Sequence, residues 1–306
     1  MKIFRSFGEA KNIRNPVITT GSFDGVHIGH KTILNRLSYL ARKYNGESVL
    51  ITFDPHPRKV LYPDTAGREL RLISSQEEKL ALLEKTGLDN IIIIEFTREF
   101  SRITGEEFVR DILHGILRAR VVVVGFNHHF GFNKEGDYRH LWDWQEKYHF
   151  EAEEIPEQEV EHETVSSTKI RKAISEGYIQ RANAYLDHYY IVMGKPEPNV
   201  AREEVEQQFC FRVPVTEECK LLPSPGIYAV SVDSGKYMSK GMALVRPGGD
   251  RCQSLLLDAM EPEKVPERER VSLMFHKRIH GAINPADNRS LQRIRTAREE
   301  IIELIY

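Results

Sequence analysis

Short apolar runs alternate with amphipathic segments through the first half of the chain. Two of these runs, 91–94 and 121–124, consist only of isoleucine or only of valine. A continuous β-branched run without polar alternation is typical of a strand that is covered on both faces. The pattern therefore predicts a parallel sheet wrapped by helices, with strands at 16–20, 48–53, 90–96 and 120–126.

Helix signals lie between and after these predicted strands. Apolar residues recur at helical spacing from 32 to 41. The segments 75–78 and 104–107 both have the Ser/Thr-x-x-Glu pattern of a capping box, and Asp137 is a candidate N-cap for another helix. The acidic segment 151–163 is interpreted as a solvated edge strand and loop.

The pattern changes near residue 188, where short alternating runs are broken often by Pro and Gly. Such spacing predicts a small antiparallel barrel, with a hairpin turn at 233–236 and a final amphipathic helix at 289–305. The predicted barrel strands are 209–215, 226–232, 237–245, 254–260 and 271–279. The sequence thus predicts an α/β domain at 1–187 and a barrel domain at 188–306.

Composition narrows the functional classes. The chain has 306 residues with 41% hydrophobic content, enough for two cores. Its 43 Lys and Arg residues are balanced by 45 Asp and Glu residues, so neither nucleic acid nor an anionic membrane is an expected partner. Cys210, Cys219 and Cys252 lack zinc-ligand spacing, and no apolar run is long enough to cross a bilayer. We expect a cytoplasmic protein, and a homo-oligomer stays an open alternative.

One segment is an evident candidate for binding an anion. Residues 21–30 read Gly-Ser-Phe-Asp-Gly-Val-His-Ile-Gly-His, between the first predicted strand and the first predicted helix. Such a turn presents backbone N–H groups and the positive helix dipole to a ligand. His27 and His30 can point the same way, and Gly29 leaves room for phosphate oxygens. The segment is neither a Walker loop nor a dinucleotide-binding fingerprint.

Other candidate residues follow other predicted strands. Residues 55–57 read Pro-His-Pro, a stiff loop after the second strand, and 127–131 follow the fourth. The segment 166–171, Ser-Ser-Thr-Lys-Ile-Arg, is rich in helix-capping and basic residues. Taken alone, 55–57 could be a simple connection and 166–171 an ordinary capped helix.

Together the segments 21–30, 52–57, 124–131 and 166–171 resemble the bacterial riboflavin kinase/FAD synthetase family of the nucleotidyltransferase superfamily. The resemblance implies a Rossmann-like nucleotidyltransferase domain followed by a riboflavin kinase-like β-barrel. It also implies transfer of AMP from ATP to FMN, giving FAD and pyrophosphate, with Mg²⁺ as cofactor. By the resemblance, His27, His30 and Arg171 are catalytic; Gly21, Phe23, Asp24, Gly29, Ser167 and Thr168 bind ATP; and Pro55, His56, Pro57 and Asn127 bind FMN. It names no protein ligand for a metal.

The barrel half resembles the family's kinase domain through 221–230, Arg246-Pro247 and 271–279, but it departs from the kinase motifs. The Gly-rich loop and Pro-Thr-Ala-Asn motif are replaced by an acidic segment, in which Cys210 and Arg212 stand near the Thr and Asn positions. Ala282 falls near the position of the catalytic glutamate. These groups cannot bind Mg²⁺ or accept a proton in the same way.

We therefore predict an FMN adenylyltransferase with a degenerate kinase domain. Three alternatives stay open at this point. They are a fully bifunctional riboflavin kinase/FAD synthetase, a non-catalytic flavin- or nucleotide-binding regulator, and an adenylyltransferase that acts on another phosphate ester.

Overall fold

The computed structural model describes residues 1–160, 163–200, 203–217, 219–246, 253–284, 287 and 289–304. The chain forms two compact units. The first unit comprises Met1–Leu70 and Lys79–Val165, and the second comprises Arg71–Glu78 and Ser166–Tyr306. A short internal segment thus groups with the second half of the sequence, and the domain boundary after residue 187 stays a prediction.

A parallel sheet with helices makes up the first unit. In chain order the elements up to residue 165 are β1 (Lys2–Phe4), β2 (Val17–Thr20), α1 (Ile28–Lys43), β3 (Ser48–Asp54), α2 (Pro57–Leu61), α3 (Gln76–Glu84), β4 (Asn90–Glu95), α4 (Gly105–Glu107), β5 (Val121–Gly125), α5 (Tyr138–Trp144), β6 (Glu151–Ile155), β7 (Glu159–Val160) and β8 (Glu163–Thr164). Six strands pair in the order β1-β4-β3-β2-β5-β6, all parallel, while β7 and β8 form a separate antiparallel pair. This confirms the predicted α/β architecture.

Both faces of the parallel sheet are covered. In β5, Val122 and Val124 pack into one core, and Val121 and Val123 pack into the other. Apolar residues of α1 belong to the second of these cores, whereas the first contains residues of the π-helical segment Phe108–Ile116 that continues α4. The uninterrupted valine run thus has the two-sided burial that its sequence predicted.

The helix caps predicted from the sequence are present in the structure. The Thr104 hydroxyl accepts a hydrogen bond from Glu107 N, and the Glu107 carboxylate accepts one from Thr104 N. The same capping box forms between Ser75 and Glu78, and Asp137 caps α5. The sequence did not predict β1, which has only three residues, none of them buried, and so carries no hydrophobic pattern. The strands at Tyr190–Gly194 and Glu197–Pro198 in the second unit were also not among those predicted.

A curled antiparallel sheet and three helices make up the second unit. Its further elements are α6 (Ser167–Glu176), α7 (Ile179–Leu186), β9 (Tyr190–Gly194), β10 (Glu197–Pro198), β11 (Phe211–Val215), β12 (Gly226–Asp233), β13 (Met238–Val245), β14 (Gln253–Ala259), β15 (Val271–His280) and α8 (Ser290–Leu304). The strands pair in the order β10-β11-β14-β13-β12-β15-β9. The predicted hairpin joins β12 to β13, where Gly235 has a φ of 79°. Apolar residues of α8 pack against the sheet.

A fully buried ion pair fixes the internal segment 71–78 within the second unit. Lys220 Nζ lies 2.6 Å from Glu78 Oε2, and each side chain is 1% exposed. The ammonium also donates to the backbone oxygens of Ile73 and Ile191, at 2.6 and 2.8 Å. The other oxygen of Glu78 accepts from Met193 N at 2.8 Å. Both charges are therefore surrounded by hydrogen-bond partners, which is the condition under which a buried pair is tolerated.

No helix within the described ranges is long and apolar enough to span a membrane.

We expect Lys220→Met to destabilise the second unit by about 3–5 kcal/mol, because it leaves the Glu78 carboxylate buried without its counter-ion. Urea unfolding gives the free energy, and hydrogen exchange of the β9 amides locates the loss. Lys172→Met is the matched control, since Lys172 pairs with Glu176 at 4.0 Å on the surface, and an exposed pair contributes about 0–1 kcal/mol. Equal effects of the two variants would contradict the importance of the buried pair.

Candidate functional site

The turn after β2 has an unusual backbone. Phe23, Gly25 and Val26 have φ values of 49°, 84° and 42°, in the left-handed region. This region suits glycine but is rare for a β-branched residue such as valine, and each strained non-glycine residue costs on the order of 1–3 kcal/mol. The side chains of Phe23 and Val26 are almost fully buried, in the same core as α1. Their burial offsets the strain and fixes the path of the turn.

Three rings form a stacked column on this turn. The imidazole centroids of His27 and His30 lie 3.7 Å apart with an angle of 18° between the ring planes. The Phe23 ring stacks on the other side of His30, with centroids 4.3 Å apart. The two imidazoles therefore lie side by side, as the sequence predicted. Space beside the column is tight, because a Cβ at Gly21 would come within 3.2 Å of the Phe23 ring.

The N-terminus of α1, directly after this turn, has the features of an anion-binding site. His27 occupies the N-cap position of α1, yet its side chain makes no capping hydrogen bond to the described backbone. The first turn of α1 contains no acidic residue. A Cβ at Gly29 would lie 3.3 Å from the His27 ring, so the glycine keeps this imidazole in place. The first-turn N–H groups and the helix dipole can thus meet a negative charge here.

The His30 imidazole is held neutral. Burial chiefly, followed by the charges of His27 and Lys79, lowers its pKa well below 6.5. Its Nδ1 is buried, and no residue in the described part of the chain forms a hydrogen bond with it. Near neutral pH, His30 is therefore an uncharged donor or acceptor rather than a cation.

Lys79 is a residue of this site that the sequence interpretation missed. It lies on α3 and is 7% exposed. Its Nζ donates to Ser22 O and to Thr52 Oγ1, both at 3.4 Å. The available signal was its position four residues before Leu83, which places a lysine on the buried side of α3. A charged residue on a buried helix face is uncommon and points to a specific role.

A cavity of about 700 Å³ opens at the carboxyl ends of the strands. Its wall includes four of the predicted site residues: Gly21, His56, Pro57 and Asn127. Residues far apart in the sequence thus converge at one edge of the sheet, where ligands of such sheets bind. Pro55 directly precedes two of them in the chain. Ser22, from the strained turn, also lies on this wall.

Aromatic side chains dominate the wall of the cavity. Phe53, Phe96 and Phe100 pack against one another with ring centroids 5.3 to 5.8 Å apart. The ring of His128 stacks loosely on Phe130, at 6.2 Å. Burial, with a smaller effect of His129, lowers the pKa of His128 to about 4, so this imidazole is neutral as well. A planar, mostly apolar ligand fits such a lining.

Two of the predicted wall residues also have structural roles. His56 Nδ1 accepts a hydrogen bond from Arg58 N at 3.2 Å and so caps α2. Asn127 has a φ of 57°, which asparagine tolerates better than most residues. Each residue therefore shapes its loop whether or not a ligand is bound.

The remaining predicted residues are distributed between the two units. Asp24 is 4% exposed in the turn of the first unit. Ser167, Thr168 and Arg171 lie on α6, in the second unit. Ser166 caps α6 by accepting from Lys169 N, and Arg171 Nε donates to Arg71 O at 2.9 Å. Contact of these α6 residues with the ligand of the turn stays a prediction.

A solved structure has the same fold along the whole chain. It is a crystal structure of a macrolide-efflux protein from Streptococcus pneumoniae, with a TM-score of 0.84 and coverage of 100% of both chains. The sequences are only 22% identical, so this likeness shows the fold alone.

Sequence comparisons identify the family. A family model described as FAD synthetase matches residues 9–169. A bifunctional riboflavin kinase/FMN adenylyltransferase of Listeria monocytogenes is 30% identical over 231 residues, which are 76% of this chain and 72% of the relative. The enzyme of the same description from Escherichia coli K12 is 30% identical over 71% of this chain and 67% of the relative. A FAD synthetase of L. monocytogenes is 36% identical over 60% of this chain and 73% of the relative. As the four motifs predicted, the chain belongs to the FAD synthetase family of nucleotidyltransferases.

Proposed function

We propose that this protein transfers AMP from ATP to FMN, giving FAD and pyrophosphate, and that it does not phosphorylate riboflavin. One observation carries the first part. Gly21 and Ser22 belong both to the turn that bears the stacked imidazoles and to the wall of the aromatic cavity. A triphosphate on the turn and a flavin in the cavity would therefore have their reacting phosphates side by side.

The proposed reaction needs positioning and charge stabilisation rather than a protein nucleophile. A phosphate oxygen of FMN attacks the α-phosphorus of ATP, and the bond to the leaving pyrophosphate breaks. Negative charge moves onto the pyrophosphate, where preorganised donors stabilise it. Since Nδ1 of His30 is buried, we assign Nε2 of this residue to the phosphates, together with His27 and the first N–H groups of α1. By family resemblance, we assign Ser167, Thr168 and Arg171 to the β and γ end.

We propose that ATP enters as its Mg²⁺ complex. Within the described ranges, no group of three or more His, Cys, Asp or Glu side chains could hold a metal ion. Mg²⁺ suits such a protein because it keeps several waters and is held largely by substrate phosphates. Asp24, a buried carboxylate in the turn, is assigned to the neighbourhood of the nucleotide. The cation would reduce repulsion between the two anionic substrates.

The second part of the proposal is supported by the packing of residues 203–209. This segment stands where the kinase family has its Gly-rich loop. Val205 and Phe209 are buried in the barrel core together with residues of α8. Glu206 forms an ion pair with Arg246, and the Asn199 amide donates to the backbone oxygens of Glu206 and Phe209, at 2.8 and 3.1 Å. The segment is anchored by its own contacts, and by the resemblance its carboxylates stand where a nucleotide phosphate would bind.

The residues that replace the kinase motif are also engaged with the protein. Cys210 Sγ lies 3.8 Å from Asp258 Oδ1, and Arg298 Nε lies 3.3 Å from Asp258 Oδ2. Burial raises the pKa of the Cys210 thiol, and Asp258 raises it further, so the thiolate needed to bind a metal is disfavoured. Ala282 is exposed and offers no base. Pro247 and Cys252 lie outside the described residues.

A paired assay tests both parts of the proposal. Incubated with ATP and Mg²⁺, the protein should form FAD and pyrophosphate from FMN, and it should form neither FMN nor ADP from riboflavin. Chromatography with flavin fluorescence separates the products. A L. monocytogenes enzyme described as bifunctional is the positive control for the kinase step. FMN made from riboflavin would show that the kinase is retained, whereas no FAD from FMN would refute the adenylyl transfer.

We expect His27→Ala to reduce FAD formation on the order of 100-fold or more, because one positioned transition-state donor contributes about 3 kcal/mol. His114→Ala is the matched control, since it removes an exposed imidazole from a helical segment of the same unit. Fluorescence of Trp142 and Trp144, both in the first unit, verifies that each variant is folded. Unchanged turnover by folded His27→Ala would mean that this imidazole does not contact the reacting phosphates.

A further inference from the structure

Lys79 is a buried residue whose ammonium donates a hydrogen bond to the backbone of the strained turn, at Ser22 O. Its partners Ser22 O and Thr52 Oγ1 are both 3.4 Å away, and the Thr52 hydroxyl itself donates to Ser22 O at 3.3 Å. Thr52 is fully buried on β3. Lysine, threonine and the Ser22 carbonyl thus meet at one point, directly before the left-handed residue Phe23. Both of these partner oxygens are uncharged.

We infer that Lys79 is a positioning residue of the anion site: it holds the backbone at Ser22 in place and supplies the fixed positive charge that a triphosphate meets beside His27 and His30. The inference rests on the proposed function, since it assigns the triphosphate to this turn. The alternative is that the histidines themselves carry the positive charge.

The state of His30 explains why a lysine is needed. Burial, the largest cause, and then the charges of His27 and Lys79 hold the pKa of His30 below 6.5. The titratable groups acting on His30 are thus His27 of its own turn and Lys79 of α3. A neutral imidazole donates a hydrogen bond but adds no net charge. We therefore assign the electrostatic attraction for the anion chiefly to the lysine and to the N-terminus of α1.

The sign of the effect on His30 gives a test that is independent of turnover. Removal of the Lys79 charge should raise the pKa of His30, because one of the groups that disfavour the imidazolium is lost. The pKa should stay below 6.5, because burial remains. Histidine resonances followed by NMR between pH 4.5 and 8 report this change directly.

Four forms of the full chain are compared: wild type, Lys79→Met, Lys79→Arg and Lys85→Met. Methionine keeps much of the length and apolar contact of lysine but not its charge, whereas arginine keeps the charge. Lys85 is exposed just after the end of α3, so Lys85→Met is the matched control. The ligand is the Mg²⁺ complex of the α,β-methylene analogue of ATP, which cannot lose pyrophosphate, and isothermal titration calorimetry gives its dissociation constant.

We expect Lys79→Met to weaken binding of the analogue by about tenfold or more, as the loss of one close charge interaction would, and to raise the pKa of His30. Lys79→Arg should retain most of the affinity, and Lys85→Met should match wild type. Wild-type affinity and an unmoved His30 in Lys79→Met would overturn the inference, because a lysine that only filled space would give that result. Weakened binding with an unmoved His30 would also overturn the charge assignment.

A measurement on the wild type decides the matter if Lys79→Met does not fold. Tighter binding of the analogue in step with protonation of His30, as the pH falls from 8 to 6, would show that imidazolium supplies the charge and would overturn the inference. A neutral His30 over this range with unchanged affinity would support it. FAD formation by the wild type is assayed separately, so a failure of the proposed reaction is distinguishable from a failure of the role of Lys79.

Discussion

The site depends on the burial of two side chains in a strained turn. Phe23 and Val26 adopt left-handed backbone angles that neither residue favours, and only their burial in the core beside α1 makes the turn stable. With this turn fixed, the rings of Phe23, His30 and His27 stack in one column, and α1 starts with N–H groups available to a ligand. The packing that lowers the pKa of His30 also gives both imidazoles a defined direction. A flexible turn would let the rings separate and would lose the preorganisation that phosphoryl chemistry requires.

Much of this arrangement could be predicted from the sequence because its signals are local. The valine and isoleucine runs of β4 and β5 indicate two-sided burial, the capping boxes mark helix starts, and parallel strands bring their carboxyl ends to one edge. What could not be predicted depends on contacts between distant parts of the chain. The position of Lys79 four residues before Leu83 indicates the buried side of α3, but only the fold brings Ser22 and Thr52 to its ammonium. Likewise, Phe96 and Phe100 resemble ordinary core residues, and only the fold shows that they line a cavity.

The two halves of the protein differ in the charged groups that they would present to a phosphate. In the first unit, the candidate anion site combines a helix N-terminus, two stacked imidazoles of which His30 is neutral, and a buried ammonium. The first turn of the helix carries no acidic residue. In the second unit, the segment 203–209, which we propose to correspond to the Gly-rich loop of the kinase family, carries carboxylates and is anchored by contacts among Glu206, Arg246 and Asn199. A phosphate-binding loop needs open backbone N–H groups and flexible glycines. A segment whose apolar residues are buried in the barrel core has little freedom to supply either.

The barrel half has a structural role besides any chemistry of its own. The segment 71–78 lies within the first half of the sequence, yet the partners of its buried groups come from the barrel half. Lys220 neutralises Glu78, and Met193 N donates to the same carboxylate. If the barrel were removed, this carboxylate and the Ile73 carbonyl would lose these partners, and α3 would lose the support of its first turn. Glu78 lies in the first turn of α3 and directly precedes Lys79, so the residue before the lysine of the anion site is held by partners from the barrel half. Retention of the barrel therefore has a structural reason that does not involve riboflavin.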